Sequence, residues 1–155
     1  MISTPPFPPL QELLGDLIGV THRLSRLAAT ATGSTESPAI WRTLSVLVGL
    51  GPLRLGDLAA QSRVSQPTMT KIVKSLEARD WARSVPDEFD ARVRRVRVTA
   101  QGAAALEAWR EELAERLVPL FDDLSPDERQ TLRAAVDLIS ARVRLPPPPA
   151  VVPDP

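Results

Sequence analysis

The chain has 155 residues, no cysteine and a formal net charge of zero. That length suits one domain with a real core, and the missing cysteines exclude a disulfide framework, a thiolate metal site and a thiol-based redox switch. Neutrality argues against a nonspecific nucleic-acid coat, and with neither a secretory signal in MISTPPFPPL nor an apolar run near the roughly 18–20 residues that cross a bilayer, a cytoplasmic protein without membrane contact is expected.

Apolar residues at Leu10, Leu13, Leu14, Leu17, Ile18, Leu24, Leu27 and Ala28 recur at helical spacing and predict a first helix over about Pro9 to Ala31. Residues Ala31 to Ser37 are rich in Thr, Ser and Gly and read as a loop. Ser37 is then expected to cap a second helix with Pro38 at its first position, where a missing N–H costs nothing. Trp41, Leu44, Leu47 and Val48 form its apolar face, and Gly51-Pro52 ends it.

Leu55, Leu58 and Ala59 predict a short third helix, and Ser65 can cap a fourth that runs to about Arg79. Trp81 to Val85 and Val93 to Val98 read as two strands around a polar turn. Thr99 caps a long fifth helix with Leu106, Trp109, Leu113, Leu117 and Leu120 on its apolar face. Ser125-Pro126-Asp127-Glu128 is a capping box that opens a sixth helix, continuing through Leu132, Val136, Ile139 and Val143. The tail from Pro146, PPPPAVVPDP, is expected to be extended or disordered.

The order of two close helices and a charged hairpin is that of a winged helix-turn-helix, so the fold class is mainly α with a small β wing. The helix-turn-helix and wing occupy about residues 38–99 of a single domain over 1–145. The long helices at about 9–31 and 99–145 are expected to pack against a second copy, since palindromic DNA rewards a two-fold protein. Charge supports this division. Residues 63 to 97 carry nine cations against five anions, whereas residues 101 to 145 carry six against nine. A basic centre beside an acidic body suits a lobe that meets DNA and a stem that avoids it.

On the fourth helix Met69, Ile72, Val73 and Leu76 share one face, leaving Gln66, Thr68, Thr70, Lys71 and Lys74 on the other. Gln and Thr can bond base edges, Thr can meet a thymine methyl, and Lys neutralises phosphate. In the turn Asp87-Glu88-Phe89-Asp90-Ala91-Arg92, Asp90 is expected to pair with Arg92 and direct it into a minor groove. Arg94, Arg95 and Arg97 follow, with Arg95 and Arg97 expected to face solvent or phosphate. The full DNA-facing set is therefore Ser65, Gln66, Pro67, Thr68, Thr70, Lys71 and Lys74 on the helix, with Asp90, Arg92, Arg94 and Arg95 on the wing.

These features together resemble the multiple-antibiotic-resistance regulator (MarR) family of bacterial transcription regulators. The resemblance rests on GPLRLGDLA, VSQPTMTKIVKSLEARDW, the D-x-x-D-x-R of Asp87, Asp90 and Arg92, and VTAQG, and it spans roughly Leu10 to Leu145. It implies a homodimer with interleaved first, fifth and sixth helices, major-groove positions for Gln66, Thr68, Thr70 and Lys71, and a wing-tip role for Arg92. It further implies a repressor of nearby genes that binds a pseudo-palindromic duplex and is relieved by a small aromatic effector between stem and lobe. His22, Trp41 and Trp109 are the candidate effector contacts, although both tryptophans sit at core spacing and His22 suits an ordinary structural role. Four positions depart from the family pattern: Arg63 and Asp80 where glycine is usual, Arg94 where an aliphatic is usual, and an exposed aromatic at Phe89.

An enzyme is not expected: one histidine, no Gly-rich phosphate loop and no H-E-x-x-H leave little to build with, and no cofactor or metal is implied. The alternative is a winged-helix module that binds proteins rather than specific DNA.

Overall fold

A computed structural model of the chain describes residues 8–31 and 36–143. The helices are α1 (Leu10–Ala31), α2 (Pro38–Leu50), α3 (Leu55–Gln61), α4 (Gln66–Ala78), α5 (Ala100–Leu117) and α6 (Pro126–Arg142). Three strands, β1 (Leu53–Arg54), β2 (Ala82–Pro86) and β3 (Arg94–Val98), form an antiparallel sheet in the order β1-β3-β2. The loop expected over 31–37 and the proline-rich tail lie largely or wholly outside the described residues.

The helix starts follow from capping chemistry. The Ser65 hydroxyl accepts the Thr68 N–H at 3.3 Å, and the Thr99 hydroxyl accepts the Gly102 N–H at 3.0 Å. Ser125 and Glu128 complete a reciprocal capping box. Ser37 differs from expectation: it occupies the N-cap position of α2 with Pro38 next, but its side chain makes no capping bond. Proline's preset backbone and missing donor leave that start with less to satisfy.

One core joins α2, α3, α4, the sheet and the first half of α5, centred on Leu44, Leu47, Leu58, Met69, Leu76 and Leu106, all essentially inaccessible. Val48, expected on the apolar face of α2, is instead exposed, because the core lies under Leu44 and Leu47. The sheet contains a strand that the sequence pattern does not reveal. β1 is two residues long and exists by pairing, Leu53 opposite Val96 and Arg54 opposite Arg95. Leu120, assigned to the fifth helix by its spacing, belongs to a separate 3₁₀ turn, Val118–Leu120.

Outside this core the chain is poorly covered. Among the described side chains of α1 only Ala28 is buried, and α6 buries no residue. Leu10, Leu13, Leu14 and Ile18 of α1, and Leu132, Val136 and Leu138 of α6, are exposed apolar side chains. α1 packs along α5, while α6 packs extensively against no other described element. No described helix is long and apolar enough to cross a membrane.

Candidate nucleic-acid interface

The helix-turn-helix is set by a left-handed turn at Arg63, whose φ is 56°. The Arg63 N–H donates to the Ala60 carbonyl at 3.1 Å and the Val64 N–H to the Ala59 carbonyl at 3.0 Å. Ser62, fully buried, anchors the turn to α2: its carbonyl accepts from Arg42 Nη1 at 3.2 Å. Asp80 repeats the left-handed conformation at the end of α4, again with φ 56°. Both positions are the ones where the sequence departs from a usual glycine, so the backbone demand persists although the residue has changed.

Within α4, Met69, Ile72, Val73 and Leu76 are buried as their spacing predicts. Gln66, Pro67, Thr68, Thr70, Lys71 and Lys74 are exposed along the opposite edge. Pro67 lies in the first turn, where no donor is missed. Several of these side chains are already positioned. The Thr68 and Ser65 hydroxyls lie 2.8 Å apart, and the Thr70 hydroxyl donates to the Gln66 carbonyl at 3.0 Å. The Gln66 amide rests over Gly56 of α3, where a Cβ would come within 3.0 Å of its Nε2. Lys71 and Lys74 project from the same edge as cations.

The wing tip is organised by a residue outside the expected contact set. The Asp87 carboxylate is buried and accepts the N–H groups of Phe89 at 2.9 Å and Asp90 at 3.4 Å, while its other oxygen pairs with Arg95 Nε. The Phe89 N–H, then the Arg95 guanidinium, hold the Asp87 carboxyl below its ordinary value, against the opposing effect of burial. Asp90 does not pair with the Arg92 guanidinium as expected; its Oδ1 accepts the Arg92 backbone N–H at 2.9 Å. Its role is thus to shape the chain at Arg92 rather than to aim the side chain, which is exposed. Arg95, expected to face solvent or phosphate, is half-buried against Asp87. Arg94 is exposed and donates to the Ser84 carbonyl at 2.6 Å, and Arg97 is exposed. The signal for Asp87 was present in the spacing: both Asp87–Phe89 and Asp90–Arg92 are side-chain-to-backbone turns two residues long.

A depressed native carboxyl stabilises the wing fully above the unfolded value near 4 and loses that contribution as the pH falls through the lower native value. The Phe89 amide resonance is therefore expected to be constant from neutral pH to about pH 5 and to shift at more acid pH. Asp87→Asn should leave it in the shifted position at neutral pH. A wild-type shift that titrates near neutrality instead would assign the tip's order to another group.

A cleft of about 530 Å³ lies where α1, α2 and α5 meet, bordered by Ser25, Trp41, Arg42, Ser45, Trp109 and Leu113 among others. Trp41 of α2 and Trp109 of α5 stack with ring centroids 4.8 Å apart and planes within 7°. Trp41 also meets Trp81 at 5.5 Å, and Arg79 lies 5.4 Å over the Trp81 ring. The Trp41 Nε1–H is buried and has no hydrogen-bond partner among the described residues. The structure thus brings two of the candidate effector contacts together at one cleft. His22 is exposed on α1 and does not line it. Among the described residues there is no group of three or more His, Asp or Glu able to hold a metal ion.

The MarR family profile matches residues 37–93, which contain α2 to β2 and the wing tip. An HTH-type transcriptional regulator of Mycobacterium tuberculosis is 33% identical over 133 residues, covering 85% of this chain and 93% of the relative. Among solved structures, a transcriptional regulator from Thermotoga maritima is similar with a TM-score of 0.68 at 21% identity, over 85% of this chain and 94% of that one. Staphylococcus aureus MepR bound to ethidium bromide is similar with a TM-score of 0.54 at 19% identity, over 88% and 97%. The helix-turn-helix, the wing and the similarity along most of both chains lead to one conclusion: this protein belongs to the MarR family of DNA-binding transcription regulators.

Proposed function

We propose that this protein is a homodimeric repressor that binds a pseudo-palindromic duplex near its own gene and releases it when a small aromatic compound enters the cleft beside Trp41 and Trp109. The observation that carries the reading is the exposed edge of α4, where Gln66, Thr68, Thr70, Lys71 and Lys74 lie opposite a buried apolar face. Gln66 and the threonines serve base edges in a major groove, the lysines serve phosphate, and Arg92 with Arg94 serves the adjoining minor groove. Ser65 and Pro67 set the start of α4: the Ser65 hydroxyl takes the Thr68 N–H and Pro67 has none to offer, so the Gln66 N–H at that positive helix end is the one that suits a phosphate. Asp90 and Arg95 act one step back, by shaping and bracing the wing.

Dimerisation is supported by the uncovered apolar faces of α1 and α6. Two lobes joined through those helices meet two half-sites, which is why a palindrome is the fitting target. Effector release is supported by the position of the cleft, which borders the ring stack between α2 of the lobe and α5 of the stem. A ligand acts there only if it favours one lobe position over another. MepR, seen with ethidium bromide, is a similar fold that accepts an aromatic ligand.

A mobility shift on duplexes from the region upstream of its own gene tests the reading. The wild-type protein is expected to bind one of them with strong salt dependence. Lys71→Ala should reduce the slope of log affinity against log salt by about one, and Arg92→Ala should cost about 1–3 kcal/mol if it reaches base edges. A folded dimer that shows no salt-sensitive affinity for any such duplex is instead a protein-binding module.

A further inference from the structure

Phe89 is 77% exposed, and no other large apolar side chain among the described residues is more so. It lies at the wing tip rather than in a loose terminus, and that tip is closed by its own hydrogen bonds. Asp87 accepts the Phe89 and Asp90 N–H groups, Asp90 accepts that of Arg92, and the Asp87 and Val93 N–H groups donate to the carbonyls of Val93 and Asp90, both at 2.9 Å. The backbone that carries Phe89 is therefore held in place while its ring is not part of the apolar core. A single exposed apolar residue on a surface needs no explanation. A ring held out on a fixed tip is different, because the ordering entropy has been met in advance and only contact is missing.

From this we infer that Phe89 is an apolar wedge that enters the minor groove with Arg92 and partly unstacks one base step in each half-site. The inference rests on the DNA-binding reading above and adds a specificity-determining residue to it. The hairpin over residues 82–98 carries five arginines against three acids, a modest cationic balance that suits DNA as the partner. Arg92 and Arg94 are exposed on the same hairpin, Asp87 is neutralised by Arg95, and one Asp90 oxygen is taken by a backbone N–H. Glu88 stays exposed beside the ring, so entry requires its carboxylate to remain outside the groove while the ring and Arg92 lead. Sugar edges and base faces supply the apolar surface the ring lacks, and pyrimidine–purine steps open at least cost, so the ring selects such a step without a hydrogen bond.

The test uses the full-length protein and the duplex that it enriches from a random-sequence pool. That duplex carries 2-aminopurine at successive positions flanking each half-site. Wild-type protein is expected to raise the probe's emission at one step per half-site. Phe89→Ala should abolish the rise and weaken binding roughly ten- to a hundredfold, the effect of leaving a phenyl ring unburied. Its salt slope should match wild type, whereas Lys71→Ala lowers that slope. Phe89→Leu, which keeps an apolar wedge, should retain part of both signals. Binding by Phe89→Ala within about twofold of wild type, or an affinity loss with no probe signal at any position, overturns the wedge while leaving DNA recognition intact. A pool that yields no enriched duplex overturns both.

Discussion

Gly102→Ala is expected to destabilise the fold by about 3 kcal/mol, as forced overpacking does when neither side can yield. Helix propensity alone predicts the reverse, since alanine inside a helix is favoured over glycine by about 1 kcal/mol. The sign is decided by the first turn of α5, which sits directly on the backbone of Trp81. A Cβ at Gly102 would lie 2.0 Å from the Trp81 carbonyl oxygen and 2.7 Å from its carbon. Those atoms cannot swing aside. The same Trp81 carbonyl accepts the Thr99 N–H at 3.1 Å, and the Trp81 N–H donates to Leu76 at 2.8 Å. The Thr99 hydroxyl further donates to the Asp80 carbonyl at 2.5 Å. The end of α4, the first residue before β2 and the start of α5 are thus one welded junction. Thermal unfolding at matched protein concentration should show a midpoint lower by roughly 6–12 °C for a chain of this size. An unchanged or raised midpoint would mean that α5 is free to lift from Trp81.

The second large effect concerns the two long faces left uncovered. Leu132 and Val136 lie one turn apart on α6 and are both about half exposed, at 48% and 44%. Most helical stability in proteins comes from packing an apolar face, and α6 buries none of its residues within the chain, so the proposed dimer is what would stabilise it. Aspartate at both positions introduces charge where a second copy would bury apolar surface. The double variant Leu132→Asp with Val136→Asp is expected to sediment as a monomer and to lose helical circular dichroism corresponding to α6. Each freed lobe would then meet its half-site alone, and affinity for the full palindrome should fall about a hundredfold or more through lost avidity. A double variant that remains a helical dimer would place the interface elsewhere, and the uncovered face of α1 is the next surface to vary.

Much of α4, the proposed DNA-facing helix, was legible because its information is local. The period of Met69, Ile72, Val73 and Leu76 defines the buried face of α4, and the opposite edge follows by exclusion. Ser65, Thr99 and Ser125 declare helix starts through contacts three residues long. The wing was legible only in outline. Two acids at Asp87 and Asp90 look alike in sequence, yet one is buried under Arg95 and the other shapes the chain at Arg92. Which acid does which depends on β3 returning antiparallel to β2 so that Arg95 lies opposite Val85, near the tip. β1 was invisible because two residues have no periodicity and form a strand only where β3 offers an edge.

The candidate effector contacts divide in the same way. Trp41 and Trp109 are 68 positions apart, and nothing local relates them; the packing of α2 against α5 stacks them. His22 sits on an exposed face of α1, away from that cleft. By itself the sequence determined the helices, most of their caps, the buried and exposed edges of α4, and the family, since each is written in neighbours within a turn or two or in the order of such pieces. Tertiary structure alone decided that Asp87 braces the wing, that Gly102 must have no side chain, that two tryptophans line one cleft, and that among the described residues the Phe89 ring stays outside the apolar core. Those are properties of surfaces brought together across the chain, where steric overlap, burial and charge pairing act over a few ångströms regardless of how many residues lie between.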